Sequence, residues 1–113
     1  MPKILEMSFR NLRTRDVRAQ RNNIGTTKLY SDIKKGLFPP GAKDGPLSIW
    51  AEYEVDAMNA ANLAGFSDDE KRGAVQELLK LRAMAGLTYA QRQERILEIL
   101  SQRNVTLGKD VAA

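Results

Sequence analysis

Thr27, Lys28, Ser31, Lys34 and Lys35 fall on one side of a short segment whose other side carries Leu29, Ile33 and, by the same spacing, Tyr30. Small hydroxyls interleaved with ammonium groups do not break bonds. They donate hydrogen bonds and positive charge, which suits base edges and phosphates. Conventional nucleophilic and metal chemistry is poorly provided for, because the chain has no cysteine and no histidine. Glu52, Glu54 and Asp56 are the nearest approach to a carboxylate cluster. Alternate positions on a helix point to different faces, so these acids read as a solvated helix start. Asp68, Asp69 and Glu70 read as partners of a helix dipole rather than as metal ligands. A non-enzymatic, cofactor-free and metal-free protein is the expectation.

The elements that would position the polar face can be read from local signals. Residues 12–23 suggest a short helix with Thr14 as its cap, closed by the Asn22-Asn23 pair. Beyond Ile24-Gly25, Thr26 is placed to cap a second helix, which Gly36 stops. Two short helices meeting across a tight Gly-containing turn form a helix-turn-helix pattern. Leu37-Phe38-Pro39-Pro40-Gly41 cannot be helical, and Asp44-Gly45 between short extended runs predicts a β-hairpin. Pro46 suggests an edge strand for residues 47–50. Trp50 and Phe38 are expected in the core.

A third helix is predicted over 51–64, with Val55, Met58 and Leu63 packing back on the first two. Ser67-Asp68-Asp69-Glu70 and Thr88-Tyr89-Ala90-Gln91 both have capping-box spacing, which starts a helix reaching about Met84 and another through Leu100. These two predict an antiparallel hairpin whose apolar residues exceed what the pair can bury, so packing on the preceding module or self-association is expected. The organisation predicted is an arm at 1–11, a winged helix-turn-helix at 12–65, a helical hairpin at 66–104 and a flexible tail at 105–113. The fold class is mainly α, with a β-hairpin wing.

Charge is divided unevenly. Residues 1–43 hold ten Lys and Arg against three acids, a net +7, and residues 44–113 hold eight against eleven, a net −3. The basic portion is therefore the candidate polyanion contact. Hydrophobic residues at 42% argue against global disorder. The sequence has no apolar run approaching the roughly 18 residues of a bilayer span, so a cytoplasmic protein without membrane contact is expected.

The run from Asn23 through Pro40, with its Leu29-Tyr30 pair, the Ile33-Lys34-Lys35-Gly36 helix end and Phe38-Pro39, resembles the AlpA family of prophage regulators and related excisionases. The resemblance extends through Lys43-Asp44-Gly45, Trp50 and Glu54-Val55-Asp56, covering residues 12–64. Arg21 stands where the pattern is commonly apolar, and Gly25 where it often has Ser. The resemblance implies a MerR-like winged helix whose second helix reads the major groove. By position it implies Thr26, Thr27, Lys28 and Ser31 on the base side, Lys34 and Lys35 on phosphates, Lys43 as the wing contact and Arg15 and Arg18 as backbone anchors.

Double-stranded DNA is thus the expected partner, with self-association through the C-terminal hairpin and an integrase as a further partner. The leading expectation is a transcriptional regulator of a prophage or integrative element. An excisionase shares all of these features. A small terminase-like packaging protein and a helical interaction module are the remaining alternatives.

Overall fold

A computed structural model describes residues 10–112, which form five helices and one small antiparallel sheet. The expected arm therefore lies outside the described residues apart from its last two positions, and Asn11 opens a strand. The order is β1 (Asn11–Arg13), α1 (Thr14–Gln20), α2 (Thr26–Lys34), β2 (Ala42–Asp44), β3 (Leu47–Ala51), α3 (Glu52–Leu63), α4 (Asp68–Arg82) and α5 (Tyr89–Ala112).

β1 was not expected, because residues 12–23 read as helix from the start. The strand exists because Leu12 pairs opposite Trp50 and both point into the core, an arrangement set by a partner far along the chain. Helix α1 consequently begins at Thr14, and the cap is not the Thr14 hydroxyl. Asp16 reaches back instead, accepting from the Arg13 amide at 3.1 Å. The strand order β1-β3-β2 makes β3 central rather than an edge. Pro46 costs no ladder bond because it sits in the turn ahead of Leu47, beside Gly45 at φ +62°.

The connection between α1 and α2 turns on Asn22 and Asn23, at φ 61° and 59°, whereas Gly25 has an ordinary φ of −74°. Asparagine tolerates the left-handed region better than most residues, which explains the pair. Gly25 occupies the N-cap position, so Thr26 is the first helical residue and not the cap. At the other end Gly36 adopts φ +78° and stops α2 as expected.

Both capping boxes form. Ser67 and Glu70 exchange bonds at 2.7 and 3.2 Å, and Thr88 and Gln91 do so at 2.8 and 3.2 Å. The helices they open, α4 and α5, run antiparallel and close over α3. α5 continues to Ala112, beyond residue 104 where the hairpin was expected to end.

One hydrophobic cluster joins Leu12, Val17, Leu29, Phe38, Trp50 and Met58 to Val75, Leu78, Ile96 and Ile99. The hairpin therefore completes the core of the first six elements. Trp50 is fully enclosed and its indole N–H donates to the Pro39 carbonyl at 2.8 Å, as a buried indole requires.

Three side-chain expectations are corrected. Leu63 is 90% exposed, because it falls on the face of α3 opposite Glu54, Ala57 and Ala61. Tyr30 is 44% exposed rather than internal. Glu54 is not a solvated helix start but wholly buried, bound through both oxygens by Arg82 at 2.8 Å each.

Candidate nucleic-acid interface

Helix α2 buries Leu29 and Asp32 and partly buries Ile33, which at 100° per residue leaves Thr27, Ser31 and Lys34 facing away from the core. Thr26, Thr27, Lys28, Lys34 and Lys35 are exposed, and Ser31 is half-buried. Neither Lys34 nor Lys35 is engaged in an ion pair among the described residues. One edge of this face carries Tyr30 and the other Lys28 and Lys35.

The Tyr30 edge borders an open cleft of about 550 Å³ between the start of α1, α2 and the β2–β3 hairpin. Arg13, Arg15 and Lys43 line it, with Asp16 as the single acid. Asp16 is already committed to the Arg13 amide. Lys43 is exposed, and its ammonium donates to Ser48 Oγ at 3.0 Å across the hairpin, where the two residues are register partners. The cleft thus adjoins the outer face of α2 at Tyr30.

Arg15 and Lys43 come together in the cleft, and the residues named on α2 adjoin them. Arg18 does not join them in the same way. It is half-buried, and its Nε–H donates to the Ile24 carbonyl at 2.9 Å, pinning the connection into α2.

Two contributions were missed in the sequence. Arg13 enters the cleft because β1 carries it there, and Tyr30 borders it because its face of α2 is open. Neither has a local signal, since the cleft is assembled from three separated segments.

Arg21 lies where an apolar residue was expected, and the structure shows how a cation occupies the place. Its guanidinium stacks 4.5 Å from the centroid of the buried Phe38 ring and its Nη2 donates to Asp32 Oδ2 at 3.1 Å. Lys28 donates to the other oxygen, Oδ1, at 2.9 Å. Burial alone would raise the Asp32 carboxyl, but the hydrogen bonds and charges of Lys28 and Arg21 outweigh it and hold the group below its ordinary 3.8.

The surface ends beyond α2. Arg72 of α4 lies over Gly36, donates from Nε to the Lys35 carbonyl at 2.9 Å and pairs with Asp69 at 3.0 Å. Asp68 and the almost fully exposed Asp69 put negative charge at that end, unfavourable to a phosphate.

No group of three or more acidic side chains is arranged to hold a metal ion among the described residues, and no helix there is long and apolar enough to cross a membrane. No protein-family model, curated protein or solved structure matches the chain.

Proposed function

We propose that this protein is a sequence-specific DNA-binding protein of the winged helix-turn-helix type, acting as a transcriptional regulator of a prophage or integrative element. Helix α2 enters the major groove, and the β2–β3 hairpin is the wing against the neighbouring backbone. The observation that carries this reading is the adjacency of the cation-lined cleft to the outer face of α2, where Lys34 and Lys35 make no ion pair among the described residues. Hydroxyls at Thr27 and Ser31 suit base edges, and Arg15, Lys34, Lys35 and Lys43 are the cations assigned to the flanking phosphates. The resemblance of residues 12–64 to AlpA-type regulators supports the same assignment, and the excisionase alternative uses the same surface.

A division of labour follows. Thr27→Ala is expected to weaken binding to a selected site by about 1 to 3 kcal/mol if the hydroxyl meets a base, with little effect on random duplex. Lys43→Ala is expected to weaken both alike and to flatten the dependence of log K on log salt by up to about one unit. Fluorescence anisotropy with both duplexes at several salt concentrations measures all of this. Lys43→Ala changing base preference with an unaltered salt slope would mean that the hairpin reads bases.

A further inference from the structure

The Arg21–Asp32–Lys28 cluster joins the interface to the interior, and its charges do not balance: two cations share one carboxylate. The two cations are held very differently. Arg21 has a side chain only 11% exposed, stacked on Phe38, with Nη1 buried and unpartnered among the described residues. Lys28 is 63% exposed along its side chain, on the edge of the outer face of α2. Asp32, at 5%, is fixed by Arg21 through one oxygen and presents the other to Lys28. A rigid acceptor therefore stands beneath a flexible, solvent-facing donor.

Helix stability alone does not account for this arrangement. Lys28 lies in the first turn of α2, where the helix dipole disfavours a cation, and a base placed four residues ahead of an acid is the less favourable order for such a pair. The arrangement does restrict Lys28. Its free side chain has rotamer entropy to lose on making any directed contact, and a fixed partner removes part of that loss beforehand. One of the three ammonium donors is used by Asp32, and two remain for an acceptor beyond the helix.

Resting on the proposed binding of DNA through α2, we infer that Asp32 is a positioning residue that sets Lys28 to read a base edge rather than to contact a phosphate. An ammonium held against a fixed carboxylate is kept from turning to the phosphates, so it adds little to the displacement of counterions from DNA. Its hydrogen bonds, directed from a fixed point, distinguish guanine acceptors from other base edges. Lys28 thereby differs in role from Lys34, Lys35 and Lys43, although all four are exposed lysines of one surface.

The test uses the full chain, a duplex that it selects from a random pool and a random duplex of equal length. Lys28→Met is expected to lower the preference for the selected duplex about tenfold and to leave the salt slope unchanged. Asp32→Asn is expected to lower that preference comparably while steepening the slope by up to about one unit, as the freed ammonium turns to phosphates. In the double variant the second change should add no further loss of preference. If Asp32→Asn does not fold, Lys28→Met, at an exposed position, can still overturn the inference by itself. A slope flattened by about one unit with preference intact would make Lys28 a phosphate contact and overturn the inference. Losses that multiply in the double variant would overturn it too, by showing that Asp32 acts through the fold. A wild-type chain that selects no sequence would instead defeat the proposed function, and this inference with it.

Discussion

Arg82→Met is expected to destabilise the protein by about 3 to 5 kcal/mol, the usual consequence of leaving a buried charge without its partner. Glu54 is fully enclosed at the start of α3, and Arg82 at the end of α4 supplies two bonds of 2.8 Å to its two oxygens. Once Arg82 is gone, the Ala51 amide at 3.2 Å is the one hydrogen bond left to that carboxylate among the described residues. The loss is a large part of the stability of a small domain, about 5 to 15 kcal/mol in total. Lys80→Ala is the control, because the Lys80–Glu77 pair is exposed and worth about 0 to 1 kcal/mol. Urea unfolding at neutral pH distinguishes the two. A midpoint for Arg82→Met close to that of Lys80→Ala would mean that Glu54 is hydrated in solution.

The second large effect concerns the hairpin. A chain ending at residue 65 would be expected to remain folded if the hairpin were a separate appendage. The continuous core predicts the opposite. Such a chain lacks Val75, Leu78, Leu81, Ile96 and Ile99, so Val55, Ala57 and Met58 lose the surface they pack against, and Glu54 loses Arg82. Each large apolar side chain stripped of its burial costs about 1.5 to 3 kcal/mol, and several together exceed the stability of a small domain. The expected result is no cooperative thermal transition by near-ultraviolet circular dichroism. A sharp transition close to that of the full chain would show that the first 65 residues fold alone. If the short chain does not fold, any change in its DNA binding says nothing about self-association.

What could be read from the sequence was local. Ser67 with Glu70 and Thr88 with Gln91 announce helix starts because a capping box is complete within four residues. Gly36 and Gly45 mark left-handed positions for the same reason. The outer face of α2 follows from Leu29 and Ile33 by helical period, and Trp50 and Phe38 go inside because little else could bury so much apolar surface.

Long-range partners left no such trace. Leu12 becomes a strand residue only because Trp50 lies across from it, and Glu54 is buried only because Arg82 arrives 28 residues later. Arg21 looks misplaced until Asp32 and Phe38 surround it. The phase of α3 likewise depends on which side α4 and α5 cover, and that covering leaves Leu63 in solvent. For the candidate interface, the exposed face of α2 was legible, while the cleft beside it was not.

Binding of the full chain to double-stranded DNA as a function of salt tests the central claim most directly. Four cations at the proposed backbone positions, Arg15, Lys34, Lys35 and Lys43, predict that log K falls against log salt with a slope of about −4. Selection from a random pool at moderate salt should, in the same experiment, enrich one sequence motif. A chain that bound no duplex even at low salt, or bound with a slope near zero, would contradict the assignment of α2 and the hairpin to DNA.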